Sequence, residues 1–94
     1  MIRMTVVYHC KKGQRQAFYD ALCALGARNT SIHEAGNHQY DYFFDAQDPD
    51  ALLLLEQWED QETLKAHSST ETFAALQGLK ATYCESTSID RLEA

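Results

Sequence analysis

The spacing of hydrophobic positions changes several times along the chain, and each change predicts a new element. From Ile2 to His9 the residues alternate weakly and are rich in β-branched and aromatic types, which is typical of a strand. From Gln14 to Leu25 the apolar residues recur every three or four positions, which predicts an amphipathic helix ending at Gly26. The next segment, Ser31 to Asn37, is predicted to be a short extended piece that closes in a turn.

Two strands are predicted on either side of the turn at Asp48-Pro49-Asp50. In the first strand Tyr40, Tyr42 and Phe44 share one face, whereas the second, Ala51 to Trp58, begins apolar on both faces. A strand with water on one face should alternate, so one that does not is covered on both sides. Helices can cover one face, and we expect a second copy of the chain to cover the other, giving a homodimer.

After Trp58 the period becomes helical, with Asp60 as the expected N-cap. The polar run from Ser68 to Thr70 interrupts this helix, and Thr70 can cap a second piece. The apolar stripe of that second piece comprises Phe73, Leu76 and Leu79. Because Gly78 lies inside the stripe, we expect the helix to fray near its end.

The last predicted element, Thr82 to Leu92, alternates with few apolar residues, as an edge strand does. The order is therefore strand, helix, strand, strand, broken helix, strand. This order predicts an α+β class: a ferredoxin-like βαββαβ arrangement with an antiparallel sheet, in a single domain over residues 1–94.

Composition narrows the range of partners. The formal net charge of −6 repels phosphate backbones and anionic lipid, which argues against nucleic acid and membrane surfaces. No apolar run approaches the about 18–20 residues of a membrane helix. The three cysteines, Cys10, Cys23 and Cys84, form no CxxC pair, which favours a reducing compartment and a cytoplasmic protein.

A possible metal motif fails on its spacing. The sequence from His33 to His38, HEAGNH, superficially matches the zinc-protease pattern HExxH. Its histidines are five positions apart rather than four, and Gly36 stands where a helix must continue. We therefore predict no metal site.

Trp58 and His67 are the better candidates for a functional site. One ends a strand and the other lies on the following helix, so that both can face the same cavity. With the tyrosines of the neighbouring strand they would line an aromatic pocket that contains one titratable group. Imidazole can take or share a proton near neutral pH, so His67 could deprotonate a phenol or enol. The alternative is structural, with Trp58 in the core or an interface and His67 on a helix surface.

The run Glu56-Gln57-Trp58-Glu59, followed by Leu64-Lys65-Ala66-His67, Thr70 and Phe73, resembles the antibiotic biosynthesis monooxygenase family, especially its small quinol monooxygenase-like members. The resemblance implies a dimeric α+β barrel of ferredoxin-like subunits, each with a pocket between sheet and helices. Several members oxidise quinols or polycyclic phenols with molecular oxygen and without metal or flavin. The resemblance thus implies an oxidoreductase that needs no cofactor and acts on a small aromatic or quinol-like molecule.

Applied to this chain, the resemblance makes His67 the catalytic residue and Trp58 an aromatic wall of the substrate site, joined by Asn37 and Tyr40. Haem-degrading members carry an iron-ligating histidine where this chain has Gln77, and glutamine is a poor iron ligand. Because the family also includes an isomerase, two alternatives stay open: a non-catalytic dimer that binds a small molecule, or an isomerase that uses the same pocket.

Overall fold

A computed structural model describes all residues from Met1 to Ala94 and contains one four-stranded antiparallel sheet with four helices. The strands are β1 (Ile2–Cys10), β2 (Asn37–Phe44), β3 (Ala51–Trp58) and β4 (Cys84–Glu93). The helices are α1 (Arg15–Leu25), α2 (Ala27–Ser31), α3 (Gln61–Ser68) and α4 (Glu71–Tyr83). The strand order β2-β3-β1-β4 places β1 and β3 at the centre, which confirms the predicted ferredoxin-like fold.

The hydrophobic core lies between the helices and one face of the sheet. Alternate residues of the two central strands point into it, and the antiparallel register sets Val6 opposite Leu54 and Ile2 opposite Trp58. Helix α1 contributes Phe18 and Leu22, which are both fully buried. The predicted division of β3 into two faces is confirmed, because its even-numbered residues from Leu52 to Trp58 are all buried.

The predicted helix ends are confirmed by their hydrogen bonds. Gly26 takes the left-handed backbone conformation, with φ of 75°, and its N–H donates to the last turn of α1. At the start of α3 the Asp60 carboxylate accepts from the Thr63 N–H, and the Thr63 hydroxyl accepts in return from the Asp60 N–H. At the start of α4 the Thr70 hydroxyl accepts from the Phe73 N–H. The break between α3 and α4 therefore has its own cap.

The extended piece predicted for Ser31 to Asn37 is wrong. The chain resumes a helical path directly after Gly26, forming α2, and then makes two turns before β2 begins at Asn37. Ala27 and Ser31, four residues apart and both buried, give this short helix an inward face that a five-residue window does not reveal.

The predicted fraying at Gly78 is also wrong. Helix α4 continues through Gly78 to Tyr83, and the end of β1 caps it, where the Lys11 N–H donates to the Tyr83 carbonyl. Leu79 and Tyr83, beyond the glycine, both pack against the core. This tertiary packing outweighs the weak helix propensity of one glycine.

No helix covers the second face of the sheet. A row of apolar side chains crosses it, in which Leu53 lies opposite both Val7 of β1 and Phe43 of β2. Phe43 is 47% exposed, and Leu92 of β4 is 62% exposed. The sheet thus presents a partly apolar surface to solvent.

No helix in the fold has the length and apolar character needed to cross a membrane.

We expect Gly36→Ala to lower the free energy of unfolding by about 2–4 kcal/mol, because it combines backbone strain with overpacking. Gly36 has a φ of 80°, and an added Cβ would lie 2.5 Å from the Thr63 side chain at the start of α3. Urea unfolding would measure the change. The matched control is Gly78→Ala, where a Cβ meets nothing within 4 Å. It should stabilise α4 by about 0.5–1 kcal/mol, and equal stabilities of the two variants would contradict this account.

Candidate active site

A cavity of about 300 Å³ lies between the helix-covered face of the sheet and helices α3 and α4. Its floor consists of alternate residues of β1 and β4, in which Val6 lies opposite Ile89 and Met4 opposite Arg91. Leu64 of α3, and Phe73 and Leu76 of α4, form its roof. The volume is at the lower end of the range for small-molecule sites, and seven of the fifteen lining residues are hydrophobic while the others are polar or charged.

His67 lies in the wall of this cavity and is only 6% exposed. Helix α3 directs the imidazole inward. The Nδ1 atom of His67 lies 2.6 Å from Oε1 of Glu34, a residue that follows α2. An ionised carboxylate can only accept a hydrogen bond, so Nδ1 is the donor, and in the neutral imidazole Nε2 then carries the lone pair. Nε2 forms no hydrogen bond within the protein and is not sealed from solvent. The hydrogen bond to Glu34 therefore fixes the orientation of the imidazole through Nδ1, and Nε2 remains without a protein partner.

Three aromatic rings surround the imidazole. The Trp58 indole lies nearly parallel to it, with centroids 4.6 Å apart, and the rings of Phe73 and Tyr40 meet it edge-on at 5.5 and 5.7 Å. Burial, and then the charge of Glu56, raise the pKa of Tyr40 to about 12, so its phenol stays protonated near neutral pH.

A second carboxyl, that of Glu56, lines the same cavity from β3 and is 5% exposed. Its Oε1 accepts a hydrogen bond of 2.7 Å from the Trp58 indole N–H. Burial raises the pKa of Glu56 above the usual carboxyl value, while the Trp58 hydrogen bond and the charge of His67 oppose the rise. The cavity wall therefore holds an imidazole together with a carboxyl that is costly to ionise.

His67 also lines a second cavity, of about 340 Å³, on the other side of α3. Glu34 and Glu62 line this second cavity together with Thr63 and Thr70, whereas Glu34 does not line the first. The imidazole thus lies between two cavities, and its Nδ1 faces Glu34, which lines the second of them.

The structure brings together three of the four residues predicted for the site. Trp58 and Tyr40 contact His67, but both are buried behind it, at 0% and 2% exposure, and neither lines the cavity. Asn37 lies apart, since its amide donates to the carbonyls of Gln39 and Gln57, and it lines no cavity. Trp58 is thus placed to support the imidazole, and Asn37 to hold the irregular start of β2.

The histidines of the apparent metal motif point to different partners. His33 hydrogen-bonds the Asn29 carbonyl, and His38 pairs with Glu59. No group of three or more histidine, cysteine, aspartate or glutamate side chains in the structure is arranged to hold a metal ion.

Glu34 and Glu56 were missing from the predicted site. Glu56 has a signal in the sequence, because it shares the inward parity of Leu54 and Trp58, and a carboxylate at such a position is rarely buried without a role. Glu34 has none, because its contact with His67 depends on the path of α2 and the turns after it.

The sequence matches the family model of the antibiotic biosynthesis monooxygenases over residues 1–79. The chain belongs to this family. The predicted resemblance is confirmed, and the matched range contains Glu34, Glu56 and His67. Family membership supports a monooxygenase function without naming the substrate.

Solved structures share the fold along nearly the whole chain. The PA3566 protein of Pseudomonas aeruginosa is 29% identical, with a TM-score of 0.87 over 99% of this chain and 92% of that one. A conserved protein of Bacteroides thetaiotaomicron is 28% identical, with a TM-score of 0.85 over 99% and 96%. A candidate antibiotic biosynthesis monooxygenase of Nitrosomonas europaea is 23% identical, with a TM-score of 0.88 over 100% and 98%, and shows the fold alone. A comparison with curated proteins gives no match.

The buried carboxyl gives a stability prediction for Glu56→Gln, which keeps an acceptor for the Trp58 N–H but cannot ionise. A carboxyl with a raised pKa stabilises the fold below its unfolded-state pKa and loses that contribution as the pH rises through the folded-state value. We therefore expect the variant to be more stable than wild type at about pH 8, with the difference closing near about pH 4. Urea unfolding at both pH values measures it.

The control is Glu85→Gln, at an exposed position of β4, for which we expect no such pH-dependent gain. A stability difference for Glu56→Gln that does not change with pH would show that Glu56 ionises as freely in the fold as in the unfolded chain.

Proposed function

We propose that this protein is a cofactor-independent monooxygenase that oxidises a small quinol or related phenol with molecular oxygen in the cavity between sheet and helices. The observation that carries the proposal is the oriented imidazole of His67 in the wall of the cavity between the sheet and the helices. We further propose that it acts in the cytoplasm, where its three free thiols would stay reduced.

The first step is removal of the phenolic proton. The free Nε2 of His67 accepts it as general base, while the carboxylate of Glu34 stabilises the imidazolium through Nδ1. The Trp58 indole, stacked on the imidazole at 4.6 Å, presents its electron-rich face to the same charge. Glu34 does not touch the substrate and acts as a positioning residue.

The second step is electron transfer from the deprotonated ring to oxygen. A phenolate is a stronger reductant than its phenol, and enclosure between the sheet and the helices would remove part of the water that stabilises it. One oxygen atom enters the ring and the other leaves as water, so a hydroquinone becomes a hydroxyquinone, and the four electrons that the oxygen molecule gains come from the substrate. On this mechanism the protein supplies a base, an orientation and a dry environment.

We also propose a homodimer joined through the uncovered face of the sheet. The apolar row of Phe43, Leu53 and Val7 would otherwise face water. A second copy would supply the same self-complementary surface, as two-fold symmetry requires.

The activity prediction concerns His67→Ala. Wild-type protein with a panel of small dihydroquinones should consume oxygen above a protein-free blank, and the variant should lose about 10²–10⁴-fold of kcat/KM because the general base is gone. An oxygen electrode measures the rate. Mass spectrometry of the product distinguishes hydroxylation from simple oxidation, which would instead release hydrogen peroxide.

The matched control is His33→Ala, which removes an exposed histidine outside the cavity and should leave the rate unchanged. Circular dichroism should show both variants folded. Oxygen consumption that survives His67→Ala would remove the imidazole from the chemistry. Saturable quenching of Trp58 fluorescence without any product would favour a binding protein, and conversion without oxygen uptake would favour an isomerase.

The dimer prediction concerns Leu53→Glu. Wild-type protein should elute at about 21 kDa, twice the 10.7 kDa of one chain, and the variant as a monomer, because two buried carboxylates would face each other across the axis. Light scattering after size exclusion measures the mass. Ala75→Glu on the exposed side of α4 is the control and should stay dimeric. Monomeric wild-type protein would refute the dimer.

A further inference from the structure

Two of the three cysteines lie opposite each other where β1 ends and β4 begins. The antiparallel register pairs Cys10 with Cys84, just after an irregularity between His9 and Cys10. Cys10 is buried, at 4% exposure, and Cys84 is half-buried. Their separation of more than 70 positions in the sequence conceals this contact.

The backbone hydrogen bonds fix the type of this pair. The Lys11 N–H donates to the Tyr83 carbonyl at 2.8 Å, so the bond between the strands lies beside the cysteines and not between them. The Cys10 N–H points the other way and donates to Asp50. Cys10 and Cys84 are therefore a non-hydrogen-bonded pair, the closer of the two antiparallel arrangements, with Cα atoms typically about 4.5 Å apart.

This spacing satisfies the requirement of a disulfide, whose Cα atoms are usually about 4.4–6.8 Å apart. Burial, and then the charge of the neighbouring Cys10, raise the pKa of the Cys84 thiol to about 12. The contribution from Cys10 indicates that the two thiols are close neighbours. A pair of unbonded thiols in this arrangement needs no backbone movement to be joined.

We propose that Cys10 and Cys84 form a reversible disulfide that ties β1 to β4 under oxidising conditions. This inference is independent of the proposed function. It concerns a modification site on the fold, and it holds whether or not the cavity is catalytic.

The oxidant we assign is a hydroperoxide. The more accessible Cys84 reacts first: its sulfur attacks one oxygen of hydrogen peroxide, water leaves, and Cys84 becomes a sulfenic acid. The sulfur of Cys10 then displaces a second water from Cys84 and forms the S–S bond. Two thiols and one hydrogen peroxide thus become one disulfide and two waters. Because the thiolate is the reactive form, the reaction should be slow at neutral pH and faster in alkaline solution.

The bond would affect the cavity as well as stability. Cys84 connects α4 to β4, and Lys80 before it and Thr87 after it both line the cavity. A disulfide would fix the edge strand that carries part of the cavity floor. It would also close a loop of residues 11–83, which restricts the unfolded chain strongly.

The test is oxidation of the purified protein with hydrogen peroxide, followed by denaturation, alkylation and mass spectrometry. Reduced protein should take up a label on each of its three cysteines, and oxidised protein on neither Cys10 nor Cys84, whose peptides should be linked. The melting temperature should rise on the order of 10–30 °C and return after dithiothreitol.

Two variants sharpen the result. Cys23→Ser removes the exposed thiol and should still form the link, whereas Cys84→Ser should neither form it nor gain thermal stability. Three labelled cysteines after prolonged oxidation, a sulfinic acid on Cys84, or a link that requires Cys23 would each overturn the proposal.

Discussion

The hydrogen bond between His67 and Glu34 is the contact on which the candidate site depends. A polar ring among three aromatic groups would lose its hydration without compensation unless a partner replaced the water, and the carboxylate supplies that partner. The carboxylate in turn is held by the turns between α2 and β2, next to Gly36, whose carbonyl accepts the Glu59 N–H. The backbone conformation of Gly36 and the orientation of the His67 imidazole are thus linked through a few neighbouring residues.

The same site concentrates polar groups that the fold would be more stable without. Glu56 is buried among apolar residues with one strong hydrogen bond, from Trp58, and His67 is buried with one, to Glu34. Such groups usually cost stability unless they are fully paired. Their clustering on one side of the sheet, close to the cavity, is the pattern expected where function rather than stability selects the side chains.

The sequence predicts the sheet and its order well, because strand alternation and helical period are local signals that burial reinforces. Asp60 and Thr70 were recognisable as caps from residue type and spacing alone. Helix α2 was not, since five residues carry too little period to distinguish a helix from an extended segment. The approach of Trp58 to His67 was predictable from their positions in consecutive elements. The approach of Glu34, thirty-three residues from His67, depends on tertiary packing that no local pattern encodes.

The position of β4 at the edge of the sheet has a consequence for assembly. Its outer backbone groups have no partner strand, and such an edge is a template for adding strands from other molecules. Charged side chains interrupt this one at Glu85, Asp90, Arg91 and Glu93. Charges along an exposed edge discourage the addition of strands from other molecules. Edge-to-edge growth of a continuous sheet is the route to fibrils. The charges along β4 thereby disfavour open-ended polymerisation through this edge of the sheet.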